Sequence, residues 1–283
     1  MSSRKRIALA QNFIKRSSLV SGLLDASSIS ANDIVYEIGP GTGIITGELT
    51  KRAKQVIAIE KDNILYEGLK KKFAKSDNIV LHHADFMTFT IKDTHYKIYA
   101  NIPFNITSAI VRKLLLMKNP PDEAYMIMQK QAAQKFIGIP KTSQFSVLAK
   151  PWFLFAIVKF FKRTDFEPIP AVDIVMLHIK KRNPPLIVPE ETSVYERFVK
   201  LGFNAWKKNL KQNYKSVFSY AQWKHLSRDL QFPFHARPTD LSFHQWLALF
   251  RFYMKLHDLL HFGVGVDRVF YYKAIFKKRE YIT

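Results

Sequence analysis

Four consecutive residues, Asn101-Ile102-Pro103-Phe104, form the most specific chemical pattern in the chain. The side-chain oxygen of Asn101 and the backbone carbonyl of Ile102 or Pro103 can each accept one hydrogen of an amino group. The exocyclic amino nitrogen of a nucleobase is a poor nucleophile because its lone pair is delocalised into the ring, and two such acceptors would localise the pair. Pro103 stiffens the turn, and Phe104 offers a face to an extruded base and to a cationic methyl donor. The pattern predicts methyl transfer to a base amino group, although alone it is also typical of an ordinary turn.

A glycine-rich turn, Gly39-Pro40-Gly41-Thr42-Gly43, comes after a predicted strand and opens a predicted helix. Glycine has no side chain, so the backbone of this turn can approach a bound ligand closely. The spacing departs from the Gly-x-Gly-x-x-Gly of dinucleotide folds, which favours the carboxylate and amino end of a smaller cofactor over a pyrophosphate. We expect Gly39, Gly41 and Gly43 to surround such a cofactor, and a purely structural turn is the alternative.

An acidic residue ends the next predicted strand, and another follows the strand after it. Glu60 lies about 20 residues after the glycines, where a carboxylate can accept hydrogen bonds from both ribose hydroxyls, and Lys61 beside it is included in the expected cofactor site. Asp85 can accept from an adenine amino group while Phe86 covers the ring. A surface carboxylate paired with a lysine is the alternative interpretation of Glu60. His82 and His83 lack a partner pair at metal-ligand spacing, so we expect no metal site.

These positions require strands that alternate with helices. Short β-branched segments between about residues 33 and 180 are separated by segments of helical spacing, which indicates an α/β unit with a mostly parallel sheet. The predicted strands are Ile34–Ile38, Gln55–Glu60, Ile79–His82, Tyr96–Ala100, Ala124–Met128, Ala156–Phe161 and Ile174–Lys180. Asn183-Pro184-Pro185 interrupts this pattern and marks a predicted boundary between residues 1–182 and residues 183–283. Beyond it the spacing predicts a small helical bundle, whose last helix begins with Ser242 and Gln245 in capping-box register.

The composition limits the partners and the compartment. There are 44 Lys and Arg residues against 23 Asp and Glu, a formal net charge of +21 that attracts polyanions such as nucleic acid. The chain has no cysteine, which excludes disulfides, thiolate metal sites and cysteine nucleophiles. No apolar segment is long enough to span a bilayer or follows the basic N-terminus as a signal peptide would. We expect a soluble, cytoplasmic monomer without a membrane partner.

Taken together, the four blocks and the preceding Gln11-Asn12-Phe13-Ile14 resemble the rRNA adenine N6-dimethyltransferase superfamily, and within it the Erm family of macrolide-resistance methyltransferases. The segment from Asp165 to Asp173 also resembles the Phe-x-Pro-x-Pro-x-Val segment before the family's last strand. The resemblance is weakest after about residue 185. It implies a Rossmann-like class I methyltransferase domain of seven mostly parallel strands, S-adenosylmethionine as cofactor, and a small, basic, all-α C-terminal domain that binds RNA.

The resemblance also implies roles for matching positions. Asn12 and Ile14 would contact the cofactor from the N-terminal segment, and the three glycines would surround its methionine part. Glu60 would hold the ribose and Asp85 the cofactor adenine. Asn101 would bind the target amino group close to the cofactor, with Pro103 in the same turn. Phe104 and Phe166 would sandwich the target base.

Two features differ from most Erm enzymes. Position 104 is Phe where many relatives have Tyr, which removes a hydroxyl but keeps the stacking face. The form Gly-Pro-Gly-Thr-Gly is more similar to the housekeeping enzymes that dimethylate two adjacent adenines near the 3′ end of small-subunit rRNA. The Asn-Ile-Pro-Phe block and the lysine-rich C-terminal segment favour an Erm-type enzyme that methylates one adenine of 23S rRNA and confers resistance to macrolide, lincosamide and streptogramin B antibiotics. The alternatives are a small-subunit rRNA or DNA adenine methyltransferase, or a catalytically silent RNA-binding assembly factor.

Overall fold

The computed structural model describes residues 12–204 and 208–261, the last five of them by their backbone only. The chain divides into two compact units, Met1–Val199 and Lys200–Thr283. The basic and aromatic segment from Phe270 to Thr283, whose sequence is compatible with either a terminal helix or an extended arm, lies outside the described residues.

The first unit contains a seven-stranded sheet. Its strands, with a short pair outside it, are β1 (Phe13–Ile14), β2 (Ile34–Ile38), β3 (Gln55–Glu60), β4 (Ile79–His83), β5 (Lys97–Asn101), β6 (Glu123–Gln129), β7 (Phe153–Phe160), β8 (Phe166–Glu167) and β9 (Ile174–Lys181). The order in the sheet is β4-β3-β2-β5-β6-β9-β7. The first five strands in this order are parallel to one another, and β9 is antiparallel to both of its neighbours. This order confirms the predicted Rossmann-like methyltransferase fold.

Helices cover both faces of the sheet, because its central strands are apolar on both sides. They are α1 (Ser17–Asp25), α2 (Ile44–Leu49), α3 (Asn63–Lys72), α4 (Thr107–Leu116), α5 (Lys130–Ile137) and α6 (Gln144–Ala149). One core includes Ile98, Val111 and Met126, and the opposite core includes Val35, Tyr99 and Ile127. Successive side chains along β5 and β6 point to opposite faces of the sheet, so each of these strands contributes to both cores.

The structure changes the limits of five of the seven predicted strands, most of them by one residue at an end, and adds two strands. Tyr96 lies before β5, and β7 starts at Phe153, three residues before its predicted start, and ends at Phe160. The earlier start lies within a continuous apolar segment, Phe153 to Val158, which gives no local mark of where pairing with β9 begins. The added strands β1 and β8 are two residues long and pair antiparallel, Ile14 with Phe166. Such short strands have no periodicity that a sequence could reveal.

The second unit is helical. The described helices near and beyond the division are α7 (Thr192–Gly202), α8 (Leu210–Asn213), α9 (Tyr220–Asp229) and α10 (Phe243–His261). Trp246 is fully buried, and its ring stacks on Phe203 at 5.1 Å. The predicted start of the last helix is confirmed, since Gln245 N donates to Ser242 Oγ and Ser242 N donates to Gln245 Oε1.

The division between the units comes later in the chain than the proline segment at 183–185. Leu186 N donates to the carbonyl of Pro151 at 2.9 Å, so the chain stays attached to the first unit after the prolines. The hydroxyl of the buried Tyr195 donates to the carbonyl of Val147 at 2.8 Å, and its ring packs edge-on against Trp152. The first turns of α7 therefore belong to the first unit.

Candidate active site

A cavity lies at the carboxyl ends of β2 and β5, the edge where parallel α/β sheets bind ligands. Its walls come from the N-terminal segment, the glycine turn and the turn after β5, and its lining residues are Asn12, Phe13, Ile14, Gly39, Pro40, Thr42, Ile44, Ile45, Asn101, Ile102, Pro103 and Phe104. The structure thus brings together Asn12, Ile14, Gly39, Asn101 and Phe104, residues that are up to 92 positions apart in the chain.

The three glycines have different surroundings, although all three have φ between +59° and +76°. A Cβ on Gly39 would meet nothing within 4 Å. A Cβ on Gly41 would lie 2.5 Å from Cε1 of Phe13, and one on Gly43 would lie 2.7 Å from Cδ2 of Leu69. Gly41 and Gly43 therefore allow the N-terminal segment and α3 to pack closely against the turn, and Gly39 is the glycine that keeps space open.

Glu60 is tied to the glycine turn. Its carboxylate accepts from Gly41 N at 3.1 Å and from Asp62 N at 2.8 Å, and the residue is buried. A carboxylate has about four lone-pair sites, so two hydrogen bonds leave capacity for further donors such as hydroxyls. Glu60 thus meets the requirement for a ribose ligand, and it also fixes the shape of the turn.

Asp85 and Lys61 form an ion pair beside Glu60. Lys61 Nζ lies 2.8 Å from Oδ2 of Asp85, and Met87 N donates to the other carboxylate oxygen at 2.8 Å. The lysine is the main cause that keeps the pKa of Asp85 below its ordinary value. Asp85 is therefore an ionised acceptor at neutral pH, and Phe86 next to it is buried.

Asn101 is oriented by the N-terminal segment. Its Nδ2 donates to the backbone carbonyl of Asn12 at 2.7 Å, and Nδ2 of Asn12 donates to the carbonyl of Pro168 at 2.7 Å. The segment is held further by Arg16, whose guanidinium lies 2.7 Å from the carboxylate of Asp165. These contacts place an amide of defined orientation at the cavity wall.

Phe104 and Phe166 do not form the expected pair of stacking faces. Phe104 is half-buried and lines the cavity. Phe166 has 0% exposure and packs edge-on against Phe161 at 5.3 Å within the core of the sheet face that carries β1. The expectation that Phe166 stacks on the target base is corrected, because its ring is used in core packing beneath β1.

Glu37 is a buried acid that the sequence interpretation did not assign to the site. It lies two residues before the glycine turn, and neither carboxyl oxygen has a hydrogen-bond partner within the described residues. Burial raises its pKa to about 8, with the charge of Glu60 adding to the effect. Its position in the sequence could have revealed it, because Glu37 is an acid inside a strand that is buried on both faces.

Lys113 is the second residue that the sequence interpretation missed. Its ammonium group donates to the backbone carbonyls of Phe86, Met87 at 3.0 Å and Phe89 at 2.6 Å, and lies 4.7 Å from the centre of the Phe86 ring. Lys113 belongs to α4, the helix that follows the Asn101 turn. It therefore joins the Asn101 turn to the Asp85-Phe86 loop.

A separate cleft in the second unit combines cations with aromatic rings. Its lining residues are Tyr220, Lys224, His225, Ser227, Arg228, Phe232 and Phe234. Lys211 Nζ lies 4.7 Å from the ring centre of Tyr220 and 4.5 Å from that of Phe234. Cations beside aromatic faces are typical of surfaces that bind single-stranded nucleic acid.

A family model described as ribosomal RNA adenine dimethylase matches residues 2–255. The chain belongs to this family. A ribosomal RNA small subunit methyltransferase A from Nostoc sp. is 31% identical over 263 residues, which cover 87% of this chain and 97% of the relative. The protein of the same name from Listeria welshimeri is 30% identical over 224 residues, 75% of this chain and 76% of the relative.

Two solved structures share the fold. The 23S rRNA methyltransferase ErmE superposes with a TM-score of 0.79 at 28% identity and covers 85% of this chain and 98% of its own. A dimethyladenosine transferase from Plasmodium falciparum gives a TM-score of 0.66 at 22% identity, over 86% of this chain and 98% of its own. The enzymes of the family are S-adenosylmethionine-dependent rRNA adenine methyltransferases, and S-adenosylmethionine is the cofactor.

The comparisons correct the expected substrate. The sequence interpretation favoured 23S rRNA and macrolide, lincosamide and streptogramin B resistance, and this is wrong because the similar curated relatives are small-subunit rRNA methyltransferases. The Gly-Pro-Gly-Thr-Gly turn was the signal that pointed to the housekeeping group. The sequence interpretation gave more weight to the Asn-Ile-Pro-Phe block. That block does not distinguish the two substrates, because methylation of an adenine amino group requires the same chemistry in either rRNA.

The residues at the cavity and at the neighbouring strand ends fit S-adenosylmethionine. The open side of Gly39 leaves room for a ligand against backbone at the cavity. Glu60 and Asp85 are not among the lining residues, and they supply acceptors for hydroxyl and amino donors at the carboxyl ends of β3 and β4. Within residues 12–204 and 208–261, no cluster of three or more His, Asp or Glu side chains could hold a metal ion. In the same part of the chain, no helix is both long and apolar enough to cross a membrane.

Proposed function

We propose that this protein transfers methyl groups from S-adenosylmethionine to the N6 amino group of adenine in small-subunit rRNA. Membership of the rRNA adenine dimethylase family and the names of the similar relatives support this substrate class. The observation that carries the proposal is the hydrogen bond from Asn101 Nδ2 to Asn12 O, at a cavity that the glycine turn shares. It commits the amide nitrogen as a donor, so Oδ1 is the atom that can accept from a target amino group.

The residues of the site perform the steps that the chemistry requires. S-adenosylmethionine, when bound, supplies an electrophilic methyl group on a sulfonium sulfur. Asn101 Oδ1 and a backbone carbonyl of the 102–103 turn accept hydrogen bonds from the two amino hydrogens, which localises the lone pair on the attacking nitrogen. As the N–C bond forms and the S–C bond breaks, S-adenosylhomocysteine leaves and the nitrogen releases one proton to water. Phe104 stacks on the extruded adenine from its place in the cavity wall. Glu60 and Asp85, with Phe86 beside it, hold the cofactor's ribose and adenine.

The decisive experiment compares substrates. The purified protein is incubated with S-adenosylmethionine labelled in the methyl group and with small-subunit particles, protein-free 16S rRNA, protein-free 23S rRNA or duplex DNA. We expect label in N6-methylated adenine of the small-subunit RNA, and primer extension identifies the modified position. Preferential methylation of 23S rRNA or of DNA would contradict the proposed substrate. RNA binding without methyl transfer to any nucleic acid would contradict the proposed reaction.

We also propose that the second unit binds RNA through the cleft beside Lys211. The cations of the cleft, Lys211, Lys224 and Arg228, can neutralise phosphates while Tyr220 and Phe234 offer stacking faces. Changing Lys211 and Lys224 to Gln should weaken RNA binding and reduce the slope of log K against log salt by about one unit per lost phosphate contact. Lys54→Gln, an exposed change at the opposite edge of the sheet from the cavity, is the matched control. An unchanged slope in the double variant would contradict this role.

A further inference from the structure

The edge strand β7 exposes a large aromatic side chain at the end nearest the active site. Phe160, its last residue, is 62% exposed, and Val158 is 49% exposed. Because β7 is antiparallel to β9, and β9 is antiparallel to β6, the carboxyl end of β7 lies at the same edge of the sheet as the carboxyl ends of β5 and β6. Phe160 thus lies on the cavity's edge of the sheet, where burial does not explain a phenylalanine.

A β-bulge determines which way Phe160 points. The pairing of β7 with β9 shifts between Ile157 and Lys159, so that Ile157 pairs with Leu177 and Phe160 pairs with Val175. Leu177 and Val175 belong to the same core, and therefore Phe160 is directed to the same sheet face as Ile157. Without the extra residue, alternation would direct Phe160 to the opposite face. Bulges that redirect a side chain are frequent beside active sites.

One cation lies beside the ring of Phe160, and others are near it in the chain. Lys130 Nζ lies 6.0 Å from the centre of the ring, and Lys162 and Arg163 are exposed two and three residues further on. Lys159 is also exposed, but it pairs with Met176 and is therefore directed to the opposite face of the sheet. The acidic residue among them is Asp173, which accepts from Arg163 at 2.9 Å and lies 3.8 Å from Lys130. The surface is therefore an aromatic face within a positive field, which is the composition of a stacking site for single-stranded nucleic acid.

The position of Phe160 relative to Asn101 follows from the register. Asn101 pairs with Ile127 on β6, the next residue Met128 pairs with Val175 on β9, and Val175 pairs with Phe160. Three strand spacings separate the two residues, a lateral distance of about 14 Å, and their side chains are directed to opposite faces of the sheet, since Ile127 and Val175 belong to opposite cores. A base stacked on Phe160 could therefore not be the target itself, and would belong to RNA that flanks the target adenine and passes over the carboxyl edge of the sheet.

We propose that Phe160, with Lys130 and Lys162, forms a stacking site for an unpaired RNA base that flanks the target adenine. This proposal rests on the proposed function, because it takes RNA as the substrate of the cavity. Charge complementarity selects RNA over a second copy of this chain. Pairing of two β7 edges would bring the lysines of each copy together, whereas an RNA backbone would neutralise them.

The test uses binding rather than turnover. The affinity of the full chain for a labelled short oligoadenylate and for a protein-free small-subunit rRNA fragment is measured by fluorescence anisotropy. Phe160→Ala should weaken binding of both by about tenfold, the effect of removing one stacking ring. Phe160→Tyr should bind like the unchanged protein. Leu154→Ala is the matched control, because Leu154 is 46% exposed on the same strand but at its other end.

The remaining measurements separate a stacking role from other roles. The affinity for S-adenosylhomocysteine and the melting temperature should be the same in the Phe160→Ala variant and in the unchanged protein. Unchanged RNA affinity in Phe160→Ala would overturn the proposal, and so would conversion of a dimer to a monomer by that substitution in analytical ultracentrifugation. If no RNA is methylated but Phe160→Ala still loses RNA affinity, the proposed reaction fails while the stacking site stands.

Discussion

The Nδ2 atom of Asn101 donates to the backbone carbonyl of Asn12 across 2.7 Å. A carbonyl can only accept, so the reverse orientation of the amide would place two acceptors against each other. This contact therefore sets which atom of Asn101 is left for a substrate, and it makes the orientation of the amide depend on the position of the N-terminal segment. The two residues are 89 positions apart in the chain, and neither motif predicts the link.

Replacing Asn101 tests two roles of this residue, its acceptor for the target amino group and its contact with Asn12. Asn101→Ala removes the acceptor for the target amino group, and turnover should fall by about 100-fold or more, as for loss of one preorganised polar group. Because Asn12 lines the cavity and loses its donor, the affinity for S-adenosylhomocysteine should also fall, by less than tenfold as expected for one hydrogen bond of about 1 kcal/mol. Single-turnover rates and calorimetric binding measure the two effects. Equal turnover in the variant would contradict the role of Asn101.

The turn glycines can be tested one at a time. In Gly41→Ala the new Cβ would lie 2.5 Å from Cε1 of Phe13 at a φ of +59°, so the N-terminal segment must move or the turn must change. We expect a loss of cofactor affinity of more than tenfold, measured by equilibrium binding of S-adenosylhomocysteine. Gly68→Ala is the control, because Gly68 lies on the exposed side of α3 with nothing within 4 Å of its Cβ position. Its binding should be unchanged and its stability equal or slightly higher.

The sequence predicted the strands and the position of the site, but it did not predict the contacts of the individual glycines. The alternation of apolar and amphipathic segments predicted the seven strands of the sheet, because burial on both faces leaves a strong pattern. The motifs predicted that the turns at 39–43 and 101–104 share one site, because both follow parallel strands and such strands end at one edge. The individual tasks of Gly41 and Gly43 were not predictable, since they depend on Phe13 and Leu69, which pack on them from other elements.

Three further features lacked a local signal. Phe166 has the residue type for stacking, but pairing of β1 with β8 buries it, and that pairing joins residues more than 150 positions apart. Lys113 is one lysine among many on an amphipathic helix, and only the three-dimensional structure shows its three carbonyl partners. The exposure of Phe160 depends on a bulge, which alternation alone does not reveal.

Glu37 predicts a pH dependence of stability. Its pKa is raised from 4.5 to about 8 in the folded protein, so between these pH values the native state binds more protons than the unfolded state. The free energy of unfolding must then decrease as pH rises through this range, by on the order of 1 kcal/mol per pH unit from this group. Glu37→Gln removes the titration, and the stability of the variant relative to the unchanged protein should increase from pH 5 to pH 8. Urea unfolding at several pH values measures the difference.

Exposed Glu67 provides the comparison for this measurement, because its side chain is 49% exposed and lies 3.9 Å from Lys70. Glu67→Gln should leave the pH profile of the unfolding free energy unchanged. A stability difference between Glu37→Gln and the unchanged protein that stays constant from pH 5 to pH 8 would show that Glu37 is ionised throughout and that its burial is compensated.

Lys113 should act on cofactor affinity through the loop that carries Asp85 and Phe86. Lys113→Met keeps the length and apolar stem of the side chain but leaves three carbonyls without their shared donor. Because that loop is proposed to hold the cofactor's adenine, the KM for S-adenosylmethionine should rise about tenfold, or ~1.4 kcal/mol, with little change in kcat at saturation. Lys113→Arg should recover part of the affinity, since a guanidinium also donates to several carbonyls. Lys118→Met, an exposed change just beyond the same helix, should have no effect. A fall in kcat with an unchanged KM would instead place the effect of Lys113 on the Asn101 turn, which its helix follows.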